Sequence, residues 1–268
     1  IVNNKKYIVV LPKIFKPYKS LKKNLVRIGP RTDGGYVIDK RVIKKSNTII
    51  TCGLNDDWEF EKDFLKINKN CKIIAYDHTV DKEFWNKRFK KNLIDLLKFK
   101  KLNIKKITDI FKHYEYRSFF KNKNNHYIKK VVLNKKNRNE VSIKQILSNQ
   151  KNIILKVDIE GDEYNLLNKI NKEYKKINLL IIEFHKVSKN INKIKKFILS
   201  KKFKIIHIHA NNFGSIDKNS NPNVLEITLI NPAKFKTSNL KSNIEYPIPG
   251  LDFRNLTRRN DIDLKFYD

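Results

Sequence analysis

Three short segments carry acidic and imidazole side chains at the polar end of an apolar run. Val157-Asp158-Ile159-Glu160-Gly161-Asp162-Glu163 holds the densest acidic cluster of the chain, and Ile182-Glu183-Phe184-His185 and His207-Ile208-His209 follow it. Alternate side chains of an extended strand share a face, so Asp158 and Glu160, Glu183 and His185, and His207 and His209 form same-face pairs. His185 or His209 could act as a general base that removes a proton from a hydroxyl, with Asp158 orienting substrate or base and Glu183 behind it. With Asp158 and Glu183, the strand-end histidines could instead hold a divalent metal, although their spacing matches no metal motif. Asp162 and Glu163 have a further explanation, as carboxylates favoured at the start of a helix. That explanation does not extend to Asp158, at the strand terminus.

The chain has seven glycines. They fall in a few short segments: Ile28-Gly29-Pro30, Asp33-Gly34-Gly35-Tyr36, Thr51-Cys52-Gly53-Leu54-Asn55-Asp56-Asp57, Gly161 in the acidic segment, Asn211-Asn212-Phe213-Gly214 and Pro249-Gly250-Leu251-Asp252. Glycine serves where φ is positive or where a ligand must approach the main chain. Gly53 and Gly161 directly follow apolar β-branched runs, and in a parallel α/β sheet that strand-to-loop junction is where ligands bind. The full Gly-x-Gly-x-x-Gly fingerprint is absent, so Gly53 suits a ligand without phosphates, such as S-adenosylmethionine, or an ordinary strand-exit turn. Asp77 ends the next strand, roughly 20 residues on, the place of a carboxylate that accepts from ribose hydroxyls. It could equally cap the helix that follows.

The elements that must position these residues alternate short apolar runs with lysine-rich amphipathic stretches, the pattern of βα units on a parallel sheet. Strands are expected at Asn47–Cys52, Lys72–Tyr76, Tyr127–Leu133, Asn152–Val157 and Asn178–Phe184. Helices are expected around 59–67, 81–97, 141–148, 162–174 and 188–200, with Lys101–Asn125 undefined. Phe203–His209 and Val224–Ile230 flank a polar loop without helical period, which favours an antiparallel hairpin over a parallel crossover. The expected fold is therefore α/β and Rossmann-like, with a mostly parallel seven-stranded sheet ending in an antiparallel hairpin and helices on both faces. Residues 1–45 are read as an extension packed on a catalytic domain at 46–235, and residues 236–268 as a tail covering the site.

A net charge of +32 looks like a nucleic-acid footprint. However, only nine of the 59 basic residues are arginine, and the lysines come with abundant Asn and Ile. These residues share A/T-rich codons, so the charge also fits genome composition, with lysines spread over solvated faces. Two cysteines are too few for a disulfide framework and set a cytoplasmic location as the expectation. No apolar run approaches the roughly 18 residues of a membrane span, and residues 1–10 do not read as a signal peptide. The absence of methionine implies that the chain is not the full translated product.

Taken in order, several segments resemble FkbM-type and related class I S-adenosylmethionine-dependent methyltransferases. Leu155-Lys156-Val157-Asp158-Ile159-Glu160-Gly161-Asp162-Glu163 is similar to that family's Lys-x-Asp-x-Glu-Gly-x-Glu strand-loop-helix. Arg27–Val37 resembles the Asp-Gly-Gly-Tyr entry segment of one branch, and Ile181–His185, His207–Asn212 and Tyr246–Asp263 resemble later segments of it. The resemblance implies that Cys52, Gly53 and Asp158 contact the cofactor, that Asp77 meets its ribose, and that Asp33, Gly34, Gly35 and Tyr36 lie near or over it. Members commonly methylate hydroxyls of sugars, so a saccharide or small-molecule acceptor is expected, with Glu160, Asn211 and Arg254 as candidate acceptor contacts. The loop after Gly53 departs from the pattern in lacking further glycines. A methyltransferase acting on RNA or protein, and a non-enzymatic basic protein on the same scaffold, are the alternatives.

Overall fold

Apolar runs without a polar face must be covered on both sides, and the strongest of them form the centre of one sheet. The computed structural model describes residues 7–98, 104–217 and 221–267. Its seven-stranded sheet comprises β1 (Thr48–Cys52), β2 (Lys72–Tyr76), β3 (Asn125–Tyr127), β4 (Ile153–Val157), β5 (Ile177–His185), β6 (Lys204–Ala210) and β7 (Val224–Ile230). The spatial order is β3-β2-β1-β4-β5-β7-β6. β7 alone runs against its neighbours, inserted antiparallel between β5 and β6. This is the Rossmann-like, mostly parallel arrangement expected for the class I methyltransferase fold.

The chain leaves β1 toward one edge of the sheet and leaves β4 toward the other. Right-handed crossovers then place helix Glu59–Ile67 on one face and helices Glu163–Lys172 and Val187–Leu199 on the opposite one. Phe60, Phe64, Leu167, Ile170, Ile194 and Phe197 on these helices are buried in one continuous core with the strands. Among the described residues, no helix is long and apolar enough to cross a membrane.

Two expectations need correction. The third strand is shorter and earlier than 127–133: the edge strand is Asn125–Tyr127, while Lys130–Val132 pairs separately with Glu140–Ser142. The stretch left undefined contains helix Ile104–Phe119, which packs on helix Lys82–Lys98. Tyr116, Phe119 and Phe120 fold back on a small second core of Leu54, Trp58, Ala75, Val80 and Trp85. That core braces the loop after β1, and Lys112 and Arg88 reach Asp56 in the same loop.

The ends of the chain meet each other. Tyr7–Pro12 pairs in parallel with Ile262–Tyr267, and Val9, Leu11, Ile248 and Leu264 join the main core. The hairpin Leu25–Ile28/Tyr36–Asp39 is held at its turn by Arg27, which donates to the carbonyls of Pro30, Thr32 and Leu251.

β1 and β4 are adjacent, and their chains part just beyond Cys52 and Val157. Gly53 has φ +84°, and a Cβ there would sit 1.6 Å from the Asp158 carbonyl oxygen. Only glycine lets these two exits cross. Gly53→Ala should therefore lose about 3 kcal/mol or more, from positive-φ strain plus a forced backbone shift. Urea unfolding of the purified variant checks this, and a loss under about 1 kcal/mol contradicts the crossing geometry.

Candidate functional site

Chain connections reverse direction between β1 and β4, and the carboxyl ends of the strands on either side of that point open into a cleft. Its volume is about 920 Å3, large enough for two small ligands side by side. The exits of β1 and β2 contribute Gly53, Asn55, Tyr76, Asp77 and Thr79 to its lining, and Asp158, Glu160, Glu183, His185 and Asp33 also line it. Six carboxylates but only two lysines, Lys129 and Lys130, line it. Lys130 is itself paired with Asp162 at 2.9 Å. The cleft is acidic in a strongly basic chain.

At the β1 and β2 exits Asp77 organises the loops. Its Oδ2 accepts from the main-chain N–H groups of Leu54 and Asn55, both at 2.8 Å. Its Oδ1 accepts from Thr79 N at 2.8 Å and Thr79 Oγ1 at 2.6 Å. Burial pushes the Asp77 carboxyl up, but these donors outweigh it and hold it below the usual carboxylate range. Four donors use all four acceptor positions of a carboxylate. Asp77 thus ties the β1 and β2 exits together, and a ribose hydroxyl could reach it only by exchanging with the Thr79 hydroxyl.

At the ends of β4 and β5, Asp158, Glu183 and His185 converge. His185 Nε2 is 3.8 Å from Asp158 Oδ1, 3.8 Å from Glu183 Oε1 and 3.6 Å from Glu160 Oε2. The histidine is fixed from behind. Its N–H donates to Glu163 Oε1 at 2.7 Å, its carbonyl accepts from Tyr164 Oη, and its Nδ1 faces the same Glu163 oxygen at 3.5 Å. Glu163 is fully buried and also accepts from Gly161 N at 2.7 Å. Glu160 bends the chain between Asp158 and Gly161 with φ +56° and leaves its carboxylate 87% exposed. Burial raises the Asp158 carboxyl to about 6 against the pull of Lys156 and His185. Burial, then the charges of Asp158, Glu226 and Asp33, raise Glu183 well above its ordinary value. For His185, burial opposes charging, but Glu163, Asp158 and Glu160 prevail and raise it. These groups are poised to share protons or a cation.

Beneath the cluster lies a network in which amides hold carboxylates. Asn211 Nδ2 lies 3.2 Å from Asp33 Oδ1, 3.1 Å from Glu183 Oε1 and 3.1 Å from Glu226 Oε1. Asn255 Nδ2 reaches Asp33 Oδ1 at 2.9 Å and Glu226 Oε1 at 2.6 Å. Sequence alone could not show this, because its members come from the first hairpin, β5, β7 and the C-terminal tail.

Several expected site residues are placed elsewhere. His209 is buried between Glu226 (Nδ1, 3.4 Å) and Asp261 (Nε2, 3.0 Å), so neither ring nitrogen is open to accept a substrate proton. It ties the tail to β6. Cys52 is fully buried and meets the site only through its carbonyl, which accepts from Asp158 N at 2.8 Å. Of Asp33, Gly34, Gly35 and Tyr36, only Asp33 lines the cleft. Gly34 and Gly35 shape the turn, and Tyr36 packs edge-on against Phe60 in the core. Asn211 reaches the cleft, but its amide is committed to carboxylates. Arg254 is exposed and outside the lining, and no described residue of 236–267 lines it. Asn55, Tyr76, Thr79, Lys129, Phe213 and Val224 line it without having been singled out.

The chain matches no family model and no curated protein. It is similar in structure to a Methanococcus jannaschii fibrillarin pre-rRNA processing protein, at 13% identity over 70% of this chain and 68% of that one, with a TM-score of 0.36. A precorrin-6y C5,15-methyltransferase from Geobacter metallireducens is similar at 9% identity over 71% and 87%, with a TM-score of 0.35. M. jannaschii TYW2 in complex with AdoMet is similar at 11% identity over 80% and 90%, with a TM-score of 0.31.

Burial opposes the charge of His209, but Asp261 and Glu226 outweigh it, so its pKa lies well above the ordinary 6.5. A raised histidine pKa adds stability that is fully present below about 6.5 and lost as pH rises through the folded-state value. Wild-type protein should therefore lose stability as pH rises from about 6.5, whereas His209→Gln should start about 2 kcal/mol lower or more and show a flatter profile. Thermal melts of both proteins at rising pH test this; parallel profiles would refute it.

Proposed function

We propose that the protein is an S-adenosylmethionine-dependent O-methyltransferase, of the FkbM-like kind its segments resemble, acting on a hydroxyl of a sugar, nucleotide-sugar or polysaccharide precursor. One observation carries this reading. The exits of β1 and β2 and an acid–imidazole cluster at the ends of β4 and β5 line a single cleft, at the point where the sheet's connections reverse.

The residues present fit such a cofactor. Gly53, Asn55, Tyr76 and Thr79 line the cleft, and the absent Gly53 side chain makes room for the Asp158 carbonyl that crosses beside it. Gly53 and Asn55 would hold its middle, Tyr76 and Thr79 its nucleoside end, and Asp158 would face its positive charge. When bound, S-adenosylmethionine supplies a methyl group on a cationic sulfur, already activated for transfer to an oxygen nucleophile. What remains for the protein is to align an acceptor hydroxyl and let it lose its proton.

Asp158, Glu183 and His185 are placed for the second task. The cluster lines the cleft beside Gly53, and Glu163 and Tyr164 hold the His185 main chain through its N–H and carbonyl. Asp33 and Glu160 add acceptors for further hydroxyls of a polyol. The lining's excess of carboxylates favours a neutral, hydroxyl-rich acceptor over the phosphate backbone of a nucleic acid, which it would repel. Domain roles follow: residues 46–235 bind cofactor and acceptor, while 1–45 and 236–268 support the acidic wall through Asp33, Asn255 and Asp261.

Calorimetry with S-adenosylmethionine should show one binding site, and labelled methyl should pass to a nucleotide sugar or oligosaccharide in an acceptor screen that also includes RNA. His185→Ala should lower turnover about 100-fold or more, with cofactor affinity kept within about threefold. No cofactor binding would end the proposal, and transfer to RNA alone would replace its substrate class.

A further inference from the structure

We infer that Asp158, Glu183 and His185 form a binding site for a divalent cation of the magnesium or manganese type. The role given to the cation rests on the methyltransferase reading; its presence does not. One ligand atom from each residue lies within 4.8 Å of the others. Six ligands at about 2.1 Å around such a cation are roughly 3 Å apart when adjacent and about 4.2 Å when opposite. The separations of 3.8 Å from His185 Nε2 to Asp158 Oδ1 and to Glu183 Oε1 exceed the adjacent spacing by under about 1 Å, so the side chains must draw in around the ion. Glu160 Oε2 lies 3.6 Å from the same nitrogen, at the exposed edge of the site.

The surroundings of the histidine are an independent sign. A metal-binding imidazole usually turns its second nitrogen to a carboxylate, which sets the ring and its tautomer. His185 Nδ1 is buried without a hydrogen-bond partner, 3.5 Å from Glu163 Oε1, and that carboxylate is anchored by Gly161 N and His185 N. Nε2 is turned toward Asp158 and Glu183. The shortage of donors is a second sign. The amide hydrogens of Asn211 serve Glu183, Asp33 and Glu226 together, although Glu183 is 92% buried. A bound cation would complete this site. An oxygen-rich set with one imidazole and no thiolate suits magnesium or manganese better than zinc or copper.

With the cation in place, His185 serves as a ligand and not as the base. A sugar hydroxyl meeting the cation becomes more acidic, and its proton passes to the exposed carboxylate of Glu160. The acceptor oxygen then forms its bond to the methyl carbon while the carbon–sulfur bond breaks. That electron pair stays on sulfur, leaving S-adenosylhomocysteine, and Glu160 returns the proton to water. Vicinal hydroxyls could occupy two cation positions at once, which points to a diol-bearing acceptor.

The test uses the full chain freed of metal by chelation and titrated with Mn2+ in the absence of S-adenosylmethionine. One saturable site is expected by electron paramagnetic resonance, with a nitrogen coupling from a histidine in the spin-echo spectrum of the wild-type protein. Asp158→Asn and Glu183→Gln should each weaken Mn2+ at least tenfold, and Glu245→Gln, at an exposed position outside the cleft, should not. Absence of a saturable site, or of the nitrogen coupling, overturns the inference whether or not the variants fold. S-adenosylmethionine binding measured in chelator tests the underlying methyltransferase reading separately. Full methyl transfer in chelator would overturn the cation's role.

Discussion

Too few hydrogen-bond donors for the carboxylates buried behind the cleft is the constraint on which this structure turns. Asp33, Glu183 and Glu226 come from a hairpin, a central strand and the inserted β7, and two asparagine amides stand among them. Desolvating a carboxylate costs several kcal/mol unless it is paired or hydrogen-bonded. The buried cation nearest in sequence to Asp158, Lys156, lies 3.6 Å from Glu61 and over the rings of Tyr36 and Phe60. The network therefore holds only while the first hairpin, the β6–β7 loop and the tail are all docked. Their docking is in turn secured by His209–Asp261, His207–Asp252 and the pairing of the two chain ends. Segments far apart in sequence are thus coupled through the acidic wall of the cleft.

The wall at the β1 and β2 exits obeys a different rule. Its geometry starts from the backbone: parallel strands separate where the connections reverse, and Gly53 lets the Asp158 carbonyl pass. Asp77 then fixes the exit loops with four donors, and the Trp58–Trp85 core supports them from below. One wall is a polar network sensitive to charge, the other a rigid main-chain surface. A cofactor placed on the rigid wall and an acceptor on the charged wall would each meet the kind of surface its chemistry requires.

Most of the fold could be read from apolar runs because the central strands are buried on both faces and need β-branched side chains throughout. Asn125–Tyr127 escaped because a three-residue edge strand of polar and aromatic residues carries no such pattern. Helix Ile104–Phe119 was legible in part, because Tyr116, Phe119 and Phe120, which meet Trp58, stand at the i, i+3, i+4 spacing of one helix face. Strand parity brought Glu183 and His185 together with Asp158, and the same parity pointed to His209, which the structure buries between Glu226 and Asp261. Parity tells which face a side chain takes but not whether another segment covers that face, and here the tail does. Similarly, a carboxylate at the end of β2 is legible, whereas its four acceptor positions being filled by main chain and Thr79 is not.

The sign of the site also separates local from global electrostatics. Fifty-nine basic residues give the chain a net charge of +32, yet the cleft is lined mainly by carboxylates. Surface lysines are screened over about 10 Å at ordinary ionic strength, so they contribute little inside a recessed pocket whose own groups are much closer. Their field steers approach, while the choice of ligand falls to the six carboxylates of the lining. A polyanion drawn to the surface would meet repulsion at the cluster, whereas a sulfonium, a metal ion or a neutral polyol would not. That asymmetry, set by Asp158, Glu183 and Asp33, means that the overall charge of the chain does not decide what the cleft accepts.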